Sequence, residues 1–87
     1  MRLVLEHSAP VPLDSILSRR EHTVLDLTAQ GFTNAAVARD LGITVHAVKF
    51  HLASIYRKLG VANRTQAAAV YLRAQALRGG FGEGAAS

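Results

Sequence analysis

Residues 33–59, TNAAVARDLGITVHAVKFHLASIYRKL, decide how the whole chain is read. They divide into two helical stretches joined by the short turn Leu41-Gly42-Ile43-Thr44, the arrangement of a helix-turn-helix. In the second stretch, from about Val45 to Leu59, the apolar residues Val48, Leu52, Ile55 and Leu59 recur at spacings of four, three and four residues, the stripe by which a helix meets a core. With a turn of about 100° per residue, the opposite side carries His46, Lys49, Phe50, Ala53 and Arg57. That outward face holds cations and one aromatic ring but no carboxylate, a surface suited to DNA.

Working outward, the punctuation of the chain predicts two more helices. Ser18 followed three residues later by Glu21 is a capping box, in which the serine oxygen accepts a backbone N–H and the glutamate reaches back. A first helix therefore runs from about Arg19 to Gln30, buries Val24, Leu25 and Thr28, and ends at Gly31. Thr33 or Asn34 caps the next helix, Gly42 stops it, Thr44 caps the third and Gly60 closes it. Asn63 and Gln66 repeat the capping-box logic for a fourth helix, about Arg64 to Arg78, rich in alanine and ended by Gly79-Gly80. Residues 1–16, interrupted by Pro10 and Pro12, read as a leader or linker, residues 17–78 as the folded domain, and 79–87 as a flexible tail with too little apolar content to pack. The expected architecture is all-α with four helices.

Composition narrows the function. The chain has 87 residues, 49% of them hydrophobic, enough for one small core. It has no cysteine, which excludes a disulfide framework, a thiolate metal site and a cysteine nucleophile, and which suits a reducing cytoplasm. No apolar run approaches the roughly 18–20 residues of a membrane span, so no membrane partner is expected. Net charge is +4, but it is unevenly spread. Residues 31–78 carry Arg39, Lys49, Arg57, Lys58, Arg64, Arg73 and Arg78 against Asp40 alone, whereas residues 1–30 are slightly acidic. A basic half points to a polyanionic partner, nucleic acid first. The four histidines form no convergent ligand set: His46 and His51 are five residues apart, off a common helix face, and His7 and His22 show no partner. No nucleophile–base pair, phosphate-cradling loop or carboxylate dyad is readable, so neither enzyme activity, a metal nor a cofactor is expected.

The ordered motifs add a family. L-S-x-R-E-x-x-V-L at Leu17 to Leu25, A-x-G at Ala29 to Gly31, V-A-x-x-L-G-I at Val37 to Ile43, V-K-x-H at Val48 to His51 and R-K-L-G-V-x-N-R-T at Arg57 to Thr65 together resemble the LuxR-type helix-turn-helix domain, over about residues 17–77. The resemblance implies a transcriptional regulator that binds double-stranded DNA with the third helix in the major groove. It implies base reading by Lys49, Phe50 and Ala53, with His46 on the same face. Lys49 can donate to guanine O6 or N7, Phe50 can lie against a thymine methyl group, and Ala53 offers only apolar contact. Phosphate contacts are implied for Thr44, Lys58, Arg64 and Thr65, with Arg20 and Arg57 beside them. Family members often place threonine at position 47, where Ala47 has no hydroxyl to donate, and charged residues where this chain has Ala35 and Ala36. His51 matches a recurrent family histidine and reads as a packing or phosphate-side residue.

The fourth helix has apolar residues on more than one face, and related domains pair through it. Ala67, Val70, Tyr71 and Ala74 are the expected contacts of a homodimer formed on DNA. The competing reading is a protein-interaction module that uses Phe50 and the fourth helix to bind another regulator or RNA polymerase without reading DNA. Its support is that Ala47 and Ala53 cannot hydrogen-bond. Residues 1–16 are too short for a sensor domain, so the chain reads either as a stand-alone regulator or as a fragment of a larger protein.

Overall fold

Local capping sets the boundaries of the helices. A computed structural model of the protein describes residues 12–78. The described residues form five helices and no strand: α1 (Leu13–Ile16), α2 (Arg19–Ala29), α3 (Asn34–Leu41), α4 (Val45–Leu59) and α5 (Arg64–Leu77). Ser18 and Glu21 close the capping box on α2 in both directions, at 3.0 and 2.9 Å. Thr33 and Thr44 cap α3 and α4 by accepting the N–H groups of Ala36 and Ala47. Gly42 and Gly60 end these two helices in the left-handed region, both at φ 69°, which a residue with a Cβ adopts only under strain. The chain then turns back, Ile43 N–H donating to the Ala38 carbonyl and Val61 N–H to that of Tyr56.

The cap of α5 differs in detail from its expected form. Asn63 accepts the Gln66 N–H at 2.9 Å, but the Gln66 amide oxygen reaches back to the N–H of Ala62 rather than to that of Asn63. The reciprocal pair is thus displaced by one residue and still satisfies two backbone donors.

The core lies where α2, α4 and α5 meet, with α3 laid against α4. Val24 and Leu25 of α2, Val37 of α3, Val48 and Ile55 of α4 and Ala67 of α5 have no exposed surface, and Leu52 and Tyr71 have little. The expected inward stripe of α4 is therefore realised, with Leu59 half-buried at its end. Burying Leu25 or Ile55 is worth about 1.5–3 kcal/mol each.

Two expectations need correction. Residues 12–16, expected to belong to an irregular leader, include the single turn α1, whose Leu13 and the following Leu17 are buried in the core. Pro12, extended at φ −62°, stands at the N-terminus of that turn, where a missing N–H costs nothing. Four residues are too few for a period to be visible. The described residues thus form five helices where four were expected. The second correction concerns α5: Ala67 and Tyr71, expected at a dimer contact, face α2, while Val70 and Ala74 are half-buried against the same core. Tyr71 is held there by donating to Asp26 at 2.8 Å and accepting from Gln75 at 3.1 Å. Burial, with the Asp26 carboxylate beside it, pushes the Tyr71 phenol up to about 12. Residues 1–11 and 79–87, including the rest of the expected leader, His7, Gly79-Gly80 and the expected flexible tail, lie outside the described residues.

Candidate nucleic-acid interface

The outward side of α4 is built by subtraction: once Val48, Leu52 and Ile55 are buried, helical geometry leaves His46, Lys49, Phe50, Ala53 and Arg57 exposed. All five are solvent-facing, and Phe50 retains 70% of its surface. Lys49 and Arg57 make no ion pair or hydrogen bond among the described residues, so their donors are available. His51, half-buried beside this face, holds the Phe50 ring edge-on, with centroids 6.3 Å apart and planes at 67°. At the head of the helix Thr44 is exposed; its oxygen accepts the Ala47 N–H, and its own hydroxyl proton remains free to donate. Thr65 and Arg20 are likewise exposed.

Two of the expected phosphate-binding cations make contacts within the fold, Lys58 from an exposed position and Arg64 from a half-buried one. The Lys58 ammonium donates to Glu21 at 2.8 Å, and the other carboxylate oxygen of Glu21 accepts from the Ser54 hydroxyl at 2.6 Å. Glu21 is buried, and burial pushes its carboxyl up. The hydrogen bonds from Lys58, Ser54 and the Ser18 N–H outweigh that and hold it down at about 2. The glutamate read in the sequence only as a helix cap is thus the point where α2 is fastened to α4. Arg64, expected to be exposed, is half-buried: it donates to the Asn34 side-chain oxygen at 2.9 Å and to the Phe32 carbonyl, tying the start of α5 to the start of α3. Its guanidinium is drawn inward because the Phe32 carbonyl, in the loop between α2 and α3, needs a donor. No local pattern reveals either contact, since the partners are 30 or more residues apart.

His22, expected to lack a partner, lies 3.5 Å from Asp14 and packs edge-on against Tyr71, with ring centroids 5.4 Å apart. It joins α1 to α2 and α5. Among the described residues no three histidine, cysteine or acidic side chains are grouped to hold a metal, and no helix is long and apolar enough to cross a membrane.

Comparison with known proteins identifies a family. The profile of the family described as bacterial regulatory proteins, luxR family, matches residues 15–71. The "Probable transcriptional regulatory protein SgaR" of Hyphomicrobium methylovorum is 44% identical over 61 residues, which are 70% of this chain and 28% of SgaR. The HTH-type transcriptional regulator AlkS of Ectopseudomonas oleovorans is 38% identical over 60 residues, 69% of this chain and 7% of AlkS. The transcriptional regulatory protein LiaR of Bacillus subtilis is 44% identical over 66 residues, 74% of this chain and 31% of LiaR. The shared segment is therefore less than a third of each relative's own length.

Proposed function

This chain belongs to the luxR family of bacterial regulatory proteins, a family of transcription regulators and not of enzymes, and from that footing we propose that it binds double-stranded DNA sequence-specifically in the cytoplasm, with α4 in the major groove. The observation that carries this is the outward face of α4, where Lys49, Arg57 and His46 surround an exposed Phe50 with no carboxylate among them. In the proposed complex Lys49 donates to base edges, Phe50, Ala53 and His46 line the groove floor, and Thr44, Arg57, Arg20 and Thr65 contact phosphate. Lys58 and Arg64 act chiefly by holding α4 and α5 in place, their remaining N–H donors adding to the phosphate contacts.

We further propose that two copies pair on adjacent half-sites about 34 Å apart. The surface of α5 available for that is Ala69, Leu72 and Ala76, spaced three and four residues apart on the side away from the core, with Leu72 55% exposed. Small alanines permit close approach of two such helices.

The test is a titration of the 87-residue chain against random genomic fragments and against sites selected from a random pool. The expected result is binding to all duplexes at low salt, with a preference for the selected site. No binding at low salt would sink the proposal in favour of a module that docks on another regulator or on RNA polymerase. Leu72→Asp should weaken two-site binding more than one-site binding without unfolding the exposed helix face.

A further inference from the structure

We propose that Ser54 is a positioning residue for base reading: by donating to the buried Glu21 carboxylate it sets the rotation of α4 about its own axis, and with it the aim of the outward side chains at the base edges. This rests on the DNA-reading function proposed above and adds the device that orients the reading face.

α4 is held to the core mainly by Val48, Leu52 and Ile55, all buried and aliphatic. Apolar burial is non-directional, so it resists separation of the helices more than a small roll of one of them. Among the described residues the only side-chain hydrogen bonds from α4 to another helix go to Glu21 of α2. The Ser54 hydroxyl donates to one carboxylate oxygen at 2.6 Å and the Lys58 ammonium to the other at 2.8 Å. Positions 54 and 58 lie one turn apart on the same side of the helix, so Glu21 grips α4 at two points. The grip has a firm base, because the oxygen that accepts from Lys58 also accepts the Ser18 N–H at 2.9 Å, within the capping box of α2.

The two points are not equivalent. Lys58 reaches Glu21 through a flexible four-carbon stem, and its rotating ammonium follows the carboxylate through small displacements. Ser54 places its oxygen one bond beyond Cβ, and a short hydrogen bond to a carboxylate tolerates little change in length or angle. Ser54 therefore defines the angle, and Lys58 adds strength. Side-chain tips stand about 5–6 Å from a helix axis, so a roll of about 10° moves them by about 1 Å. That exceeds the spread of lengths a hydrogen bond to a base edge accepts. Long cations on phosphate oxygens follow the same shift without loss. A misaimed α4 thus loses discrimination between sequences before it loses affinity for DNA in general.

The experiment uses the full chain, the site it selects from a random pool and a random duplex, with affinities from fluorescence anisotropy at a temperature where circular dichroism shows each variant folded. Ser54→Ala should weaken the selected site by about fivefold, the low end of what one base contact contributes, and change the random duplex by less than about twofold. Lys58→Met should lower the ratio of the two affinities by less. A second readout needs no DNA: amide residual dipolar couplings of the free protein report the orientation of α4 against α2, and Ser54→Ala should shift or average those of α4 alone. The proposal is overturned if Ser54→Ala keeps the wild-type ratio, if it weakens both duplexes alike, or if Lys58→Met lowers the ratio as much. A fall in the ratio with the α4 couplings unchanged also overturns it, since Ser54 would then act by touching DNA. Failure of the underlying function is seen separately, in a wild-type chain that prefers no duplex over another.

Discussion

Arg57 and Lys58 are adjacent near the C-terminal end of α4 and look interchangeable in a charge count, yet the structure commits them to different tasks. Arg57 stands exposed with no partner among the described residues, whereas Lys58 is tied to the buried carboxylate of Glu21. The same contrast separates Lys49, free on the outward face, from Arg64, bound to the Phe32 carbonyl and Asn34. One region of the basic half offers its charge to a ligand, and the other uses it to join helices. A basic balance therefore measures attraction to a polyanion only after the internally engaged cations have been set aside.

The largest effect should come from breaking the engaged region at its centre. Glu21→Ala leaves Lys58, Ser54 and the Ser18 N–H without their acceptor, and should destabilise the fold by about 3 kcal/mol. Urea unfolding measures this. Lys49→Ala, on the free face, should leave the unfolding midpoint where it was, and a comparable loss there would erase the contrast.

Acid sharpens the same point. The Glu21 carboxyl lies at about 2 in the folded protein against an ordinary 4.5. A folded-state value below the unfolded one means that the stabilisation is complete above pH 4.5 and is lost as the pH falls toward 2. The expected loss is about 2–3 kcal/mol across that window. Glu21→Gln, which has no charge to titrate, should start less stable and show a flatter dependence. Parallel stability profiles for the two proteins between pH 6 and 2 would contradict the assignment.

These expectations also mark what the sequence could carry. The capping box at Ser18 and Glu21, the caps at Thr33 and Thr44 and the Val48-Leu52-Ile55 stripe are local patterns, and local hydrogen bonding and helical period determine them. The exposure of Lys49, Phe50 and Arg57 follows from that period by geometry. The second role of Glu21 is set by tertiary packing of α2 on α4, and residues 37 positions apart leave no periodic trace. In α5, apolar residues lie on both faces, so sequence alone did not distinguish the buried Ala67 and Tyr71 from the exposed Ala69 and Leu72. Packing against α2 makes that choice. The turn α1 is hidden because a four-residue helix is shorter than the pattern that would announce it.

Binding should divide along the same line. Lys49→Ala should cost about 1–3 kcal/mol on the preferred site while scarcely changing affinity for random duplex, because it removes a base-edge donor. Arg64→Ala should instead destabilise the fold by about 1 kcal/mol, since it strips the Phe32 carbonyl and Asn34 of their donor. Its effect on DNA should be similar for all sequences. Anisotropy titrations on both duplexes beside thermal melts separate the two. Equal weakening of specific and random DNA by Lys49→Ala would mean that α4 does not read bases through this residue.

The smallest effect, and the most direct comparison, is within the pair itself. Arg57→Ala should leave the melting temperature unchanged, since an exposed and unpartnered side chain contributes within about 0.5 kcal/mol to folding. It should weaken all duplexes alike and reduce the slope of log affinity against log salt by about one unit, the signature of one lost phosphate contact. Lys58→Met keeps the aliphatic stem and removes the ammonium, so Glu21 loses its ionic partner. The melt should fall, while the salt slope should change by less than it does for Arg57→Ala, because a cation already paired with a carboxylate displaces fewer counterions on binding. The two variants remove the same formal charge from neighbouring positions. If both lower the slope equally and neither lowers the melt, formal charge alone would account for binding, and the division between engaged and free cations would have no functional meaning.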